Sequence, residues 1–323
     1  MTTRRRASLP PTPVTAVALA VLASLLWATS FIYIKVGLDD IPPLTFASLR
    51  YLIGAAALAL FRLGRRPPRR RVDDRTSVLL VVLGILLYAL VPAFMFLGLD
   101  RADAVTFNFV FQAGIPLTLA ITAGALLRER TSWWERLGVV IAIGGMYVFF
   151  PAVPEGAEAI GLLLAAAAAI SIGGSNLIQR RIMRTHTISS LEATMIPMTI
   201  GSLSLFAVAL IVEDFPTLDF SSVLLLLVLG VVNTAFAFTI WHHAMRTLKA
   251  LHAGVIASAQ IVEVAVLAWW LLGESLTKAR IMGSAIVLVG IAIVHISKAR
   301  SSREPMVTDA IALDPSRDAA HAP

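Results

Sequence analysis

The chain has 323 residues, 58% of them hydrophobic and only 15% charged, with a formal net charge of +7. A soluble domain carries about a quarter charged residues, so the composition excludes an ordinary soluble fold and leaves no separate soluble domain of useful size. Cysteine is absent, which excludes disulfides, thiolate nucleophiles and cysteine metal sites.

A membrane-spanning helix needs about 20 mostly apolar residues. Ten stretches meet that need, at 14–38, 43–62, 77–99, 102–127, 133–151, 160–179, 188–212, 221–245, 250–273 and 279–297. Each is too long and too apolar for a strand, and a helix satisfies its own backbone in lipid. The expected fold is an all-α polytopic membrane protein of ten transmembrane helices. Arg4, Arg5 and Arg6 give the first stretch the flank of a signal peptide, but it is too long for a signal h-region, so it is expected to stay attached. The first span carries Trp27, Ser30 and, close to one end, Lys35, which is placed to snorkel. About two turns inside the second span stands Arg50. It could hold an anionic group such as a substrate carboxylate, pair with a protein acid, or snorkel.

The third span contains Pro92 and the seventh Pro197, each expected to interrupt its helix. In the fourth, Asn108, Gln112 and Pro116 are spaced four apart and share one face. Pro116 removes a backbone donor and frees a carbonyl, a device found near transport sites. The fifth span places Gly138 and Gly145 seven apart, and the tenth does the same with Gly283 and Gly290, a pattern for close helix packing. The sixth runs from Ala165 to Ala169 through Gly173 and Gly174 to Ser175 and Asn176. The eighth carries Asn233 and Trp241. Taken singly, such residues serve packing or interhelical hydrogen bonds; together they outline a cavity with stacking surfaces and few fixed charges. The ninth span holds Gln260 and Glu263, the latter roughly mid-membrane. An ionisable side chain at that depth faces a cavity or a partner, so Glu263 reads as a protonatable carboxylate beside the cavity, or as a buried structural acid bonded to a neighbouring helix. His242, His243 and His252 cluster, but without a carboxylate or cysteine at ligand spacing no metal site is expected. No serine-nucleophile motif, phosphate loop or nucleotide fingerprint occurs, so neither an enzyme nor a cofactor is expected.

Lysine and arginine set the orientation. With the N-terminus inside, inner segments hold 22 of them and outer loops three, Arg101, Lys278 and Arg280. Positive loops remain cytoplasmic during insertion, which puts both termini inside. The basic balance, including the Arg65–Arg71 run, is therefore a topology signal, not a nucleic-acid site. Residues 1–13 form a cytoplasmic segment, and residues 298–323 read as a disordered cytoplasmic tail.

The chain also repeats itself. Glu129, Gly138 and Gly145 recur 145 residues later as Glu274, Gly283 and Gly290; Ser30, Lys35 and Arg101 recur as Ser175, Arg180 and Arg246. Each repeat, 14–151 and 160–297, holds five spans. Five is odd, so the second repeat runs in the opposite orientation, the architecture of many secondary transporters.

The stretch Trp27-Ala28-Thr29-Ser30-Phe31, Arg50, Pro116 and Glu129-Arg130, with the glycines that follow, resembles the first EamA repeat of the drug/metabolite transporter superfamily, and Glu274 with Gly283 and Gly290 resembles the end of the second. The resemblance covers residues 14–297. It implies a central cavity lined by both halves and export of small metabolites, often amino acids or related compounds. Where the family often has an acid–proline pair in the ninth helix, this chain has Gln260-Ile261.

The expectation is a small-molecule exporter of the cytoplasmic (inner) membrane, a monomer or homodimer, with protons as the coupling ion through Glu263. Substrate-binding candidates are Trp27, Ser30, Arg50, Asn108, Gln112, Ser175, Asn176, Asn233, Trp241 and Gln260. The alternatives are an uncoupled exchanger or facilitator and a membrane-embedded lipid-modifying enzyme.

Overall fold

The computed structural model describes residues 11–63, 73–126, 132–184 and 188–301. Arg4 to Arg6, the Arg65–Arg71 run, Glu129 and the tail from residue 302 lie outside the described residues. The described chain is helical: α1 (Pro13–Gly37), α2 (Pro43–Leu63), α3 (Asp74–Leu99), α4 (Ala104–Leu126), α5 (Trp133–Phe149), α6 (Gly156–Arg184), α7 (Ser190–Val212), α8 (Phe220–Ala244), α9 in two halves (Ala250–Ser258 and Gln260–Leu271) and α10 (Lys278–Ser301). Eight of these are long and apolar enough to cross a membrane, all but α4 and α5. α5 has 17 residues, and α4 is apolar over Ala104–Thr118. Large apolar side chains stand fully outward, among them Leu163, Trp270 and Ile211. That outer surface suits lipid and would aggregate in water. The chain is a multi-pass membrane protein.

Local chemistry starts several helices. Thr12 caps α1 just before Pro13, Ser189 and Glu192 form a reciprocal capping box on α7, and Asp219 caps α8. α2 and α4 are capped from afar. Glu213, just past α7, accepts hydrogen bonds from the backbone N–H groups of Leu44 and Thr45 at 2.8 and 2.7 Å and from the Thr45 hydroxyl. Glu274, just past α9, accepts from Ala104 and Val105 at 2.7 and 2.8 Å. Gly273 makes that reach possible: its φ of +69° turns the chain at the end of α9. A carboxylate at a helix N-terminus satisfies free donors and meets the positive end of the helix dipole. Burial raises the Glu274 carboxyl above the usual carboxylate range, against the two N–H bonds that lower it.

These caps fix directions. The α2 N-terminus meets the α7 C-terminus through Glu213, and Arg62 at the other end of α2 pairs with Glu192 in the first turn of α7 at 2.6 Å. α2 and α7 are therefore antiparallel and joined at both ends. α5 and α10 are antiparallel too: Gly138 lies against Gly290 and Gly145 against Gly283. The paired glycines serve packing, as their spacing indicates.

Two helices widen into π geometry, Ile85–Leu90 in α3 and Val228–Phe236 in α8. Pro92 follows the first directly and cannot donate its i−4 bond. Pro116 and Pro197, by contrast, sit inside continuous α-helix, so Pro197 does not interrupt α7 as the sequence led one to expect. α9 is broken at Ala259 without any proline. Each π segment packs on a helix from the other half of the chain. Gly230 presses on Ile53 and the Arg50 carbonyl of α2, and Gly201 of α7 presses on the Gly84 carbonyl and Tyr88.

A side chain at Gly290 would place its Cβ 2.6 Å from the Gly138 carbonyl oxygen, whereas Gly144 has open space. Gly290→Leu is expected to destabilise the protein by about 1–3 kcal/mol through overpacking, and Gly144→Leu to leave the melting temperature in detergent unchanged. Equal melting of the two variants would disprove the α5–α10 contact.

Candidate functional site

The most polar point inside the bundle is Arg50, only 3% exposed. Its Nε donates to the Thr234 hydroxyl at 3.1 Å and its Nη2 to the Ser30 hydroxyl at 3.2 Å. Both hydroxyls direct their own protons elsewhere, Thr234 to the Leu229 carbonyl five residues back in the π segment and Ser30 to the Leu26 carbonyl. Their lone pairs are thus turned to the guanidinium. Asn233 adds further donors: its Nδ2 lies within hydrogen-bond range of Thr29 and Ser30 hydroxyls at 3.0 and 3.1 Å and of the Leu26 carbonyl. α8 approaches α2 closely enough for this because Gly230 and Gly54 have no side chains. Nη1 of Arg50 has no hydrogen-bond partner among the described residues.

Aromatic rings surround this node. The guanidinium carbon lies 5.3 Å from the centre of the Tyr51 ring. Tyr51 meets Tyr88 edge-on at 5.8 Å, Tyr88 meets Phe238 at 6.4 Å, and Phe238 meets Trp27 at 5.2 Å. Trp27 in turn packs on Trp241 at 5.2 Å. Phe238 opens into a cavity of about 610 Å³ lined by Leu19 of α1, Leu58 and Phe61 of α2, Leu191 and Thr194 of α7, and residues 239, 240, 242, 243 and 246 at the end of α8 and beyond it. The cavity mouth is at the Arg62–Glu192 end of the bundle. At the other end the same helices converge: Gly37 of α1 abuts the Phe46 ring of α2 and Leu225 of α8.

A second polar node joins α4, α9 and α1. Asn108 Nδ2 donates to the Gln260 carbonyl at 3.0 Å, and Gln112 Nε2 donates to the Ala257 carbonyl at 3.1 Å and the Gln260 side chain at 2.6 Å. These amides flank the α9 break at Ala259. One turn on, Glu263 accepts from the Ser24 hydroxyl at 2.7 Å.

The candidates therefore separate into two nodes. Trp27, Ser30, Arg50, Asn233 and Trp241 belong to the first; Asn108, Gln112, Gln260 and Glu263 to the second. Ser175 bonds within its own helix, to the Ser171 carbonyl at 2.7 Å, and neither it nor Asn176 is joined to these nodes by a hydrogen bond found among the described residues. None of the candidates lines the large cavity directly. Sequence reasoning missed Phe238, Tyr51, Tyr88, Thr234 and Ser24. His242 and His243 do face the cavity, with His242 stacked on Phe238 at 6.1 Å, as cavity walls. Phe238 and His242 are one turn apart, a spacing that could have signalled a shared face. Lys35 turns to the α3–α4 connection, donating to the Leu99 and Ala102 carbonyls at 2.6 and 3.0 Å.

Comparison with known proteins finds relatives over most of the chain. The EamA-like transporter family matches residues 14–150 and again 159–296. A protein of Salmonella typhimurium named a probable amino-acid metabolite efflux pump is 27% identical over 284 residues, covering 84% of this chain and 92% of that one. A probable terminal-alkyne amino-acid exporter of Streptantibioticus cattleyicolor is 26% identical over 280 residues, covering 85% and 91%. One crystal structure has the same fold, with a TM-score of 0.63 and 20% identity over 89% of this chain and 98% of the other.

The amides of α4 hold the α9 break, so Gln112→Leu should release it. Losing these bonds is expected to cost about 1–3 kcal/mol and to speed amide hydrogen exchange across residues 256–262, with little change in α10. Unaltered exchange at the break would show that Gln112 does not hold it.

Proposed function

The chain belongs to the EamA-like transporter family, and on that premise we propose that it exports a small organic metabolite, an amino acid or related compound, across the cytoplasmic membrane by a proton-coupled alternating-access cycle. The observation that carries this reading is the unlike closure of the two bundle ends. α1, α2 and α8 converge at Gly37, Phe46 and Leu225, yet separate around the 610 Å³ cavity at the opposite end. Glu213, Glu274, Lys35 and the Arg280–Asp103 pair fasten the closed end. A solute site reached from one side only is what a carrier needs. The positive bias of the connections supports both termini, and with them the cavity mouth, on the cytoplasmic side, which makes this a loading state in the export reading.

The architecture behind the cycle is two inverted five-helix repeats. The 145-residue offset, the antiparallel pairs α2–α7 and α5–α10, and the corresponding positions of the two π segments all support it. In the cycle the ten helices exchange which end is closed. The names of the similar exporters support the amino-acid class.

Glu263 is the coupling group in this reading. It is the one carboxylate within α9, it is half-buried, and its partner Ser24 belongs to a different helix. Taking up a proton would change the α1–α9 contact, so protonation and opening are linked. The competing reading, an uncoupled exchanger with a structural Glu263, rests on the same Ser24 bond.

Glu263→Gln keeps shape and hydrogen bonding but cannot titrate. In proteoliposomes loaded with a metabolite identified by efflux screening, the variant is expected to lose the acceleration caused by an imposed pH gradient while retaining substrate-for-substrate exchange. A variant that responds to the gradient like its parent would favour the uncoupled reading. Parent protein that moves no amino-acid-type metabolite under either condition would overturn the proposed class.

A further inference from the structure

We propose that the Arg50 node binds the substrate's carboxylate and reads no amino group, so that the transported class is carboxylates with an apolar or aromatic body, N-acylated ones included. The proposal rests on the export reading and narrows its substrate.

The guanidinium has two hydrogen-bonding edges. The side edge, Nε with one N–H of Nη2, is occupied by Thr234 and Ser30. The end edge, Nη1 with the second N–H of Nη2, is left, and Nη1 is buried without a partner among the described residues. That edge matches a carboxylate in a two-bond fork. The charge is also uncompensated: the ion pairs found among the described residues use Arg62, Arg101 and Arg280, and no acid bonds to Arg50, Ser30, Asn233 or Thr234. A buried cation without a counterion is costly and calls for an anion. Ser30 and Thr234 send their protons to backbone carbonyls and Asn233 Nδ2 points to α1, so these side chains bring no negative charge to the node.

The body of the ligand would lie along Tyr51, Tyr88, Phe238 and Trp27, the rings that lead to the cavity. An α-ammonium group stands one carbon from its carboxylate, and among the described residues no acid is bonded to any member of the node. The membrane carboxylate bonded to α1 is Glu263, through Ser24. Ser24 and Ser30 are six residues apart, which is about 9 Å along the axis and a different face of the helix. Glu263 is therefore left for coupling.

The test uses the full chain purified in detergent, with Trp fluorescence and thermal shift as readouts, and four probes of one shape: L-phenylalanine, N-acetyl-L-phenylalanine, L-phenylalaninamide and phenethylamine. The two acids are expected to bind with similar affinity, and the amide and amine roughly tenfold or more weakly, for lack of the charge-assisted fork. Arg50→Met should lose acid binding and Arg50→Lys recover part of it. Should Arg50→Met fail to fold, the acid-against-amide ratio of the parent decides alone. Equal binding of acid, amide and amine, binding of none, or undiminished acid binding by folded Arg50→Met would each overturn the proposal. Export is measured separately: transport that persists without this selectivity refutes the carboxylate site alone, and carboxylate binding without transport refutes the export reading alone.

Discussion

In hydrocarbon, every backbone donor and acceptor must be satisfied inside the protein, and this constraint decides where the fold can depart from regular helix. The described helices depart from it in three places, the π segments of α3 and α8 and the break in α9. Two of the three are met by polar side chains. The α9 break is met by Asn108 and Gln112, and the α8 π segment uses the Thr234 hydroxyl on the Leu229 carbonyl. At the α8 π segment and the α9 interruption, the polar residues involved, Thr234, Asn108 and Gln112, belong to the two nodes.

The same constraint explains the long-range caps. The free N–H groups at the start of α2 and α4 would be exposed near the membrane boundary without a local cap, and Glu213 and Glu274 supply acceptors from the other half of the chain. A cap of this kind does more than finish a helix. It links the end of one helix to the beginning of another, so breaking it at one face of the bundle frees two helices together. Such a bond suits the proposed cycle, in which the bundle ends open and close as units.

Most of the helical layout was legible in the sequence, because runs of apolar residues longer than a strand have few other solutions in lipid. The limits differed where packing extends a helix: α6 continues through Arg184, beyond the apolar stretch. The α9 break was not legible, since Ala259 is neither proline nor glycine and the cause lies on α4. Pro92 foretold one π segment; nothing local foretold that of α8. At the site, polar residues within apolar spans stood out one at a time, yet their partners could not be read. Ser30, Arg50 and Asn233 meet across helices, and no periodicity connects them. Pro197 misled for a related reason: a single proline is absorbed when neighbouring helices hold the backbone on course.

The 145-residue offset separates what the two halves share from what they do not. Shared positions are architectural: the paired glycines, and Ser30 with Ser175, whose hydroxyls both return to the carbonyl four residues back. The polar residues of the two nodes lack polar counterparts almost throughout. Arg50 corresponds to Met195, Asn233 to Tyr88, Asn108 to Ala253, Gln112 to Ala257, Gln260 to Ile115 and Ser24 to Ala169, while Glu263 corresponds to the neutral Thr118. Two similar halves can exchange conformations because their packing is nearly the same. In the proposed cycle a ligand site and a coupling group would need to be built only once, with both halves moving around them. The charged groups therefore lie where the symmetry is broken, with Arg50 in the first half meeting Thr234 in the second and Glu263 in the second meeting Ser24 in the first. Each charge has a partner across the boundary between the halves, Thr234 for Arg50 and Ser24 for Glu263, and those bonds cannot persist unchanged if the halves shift against each other.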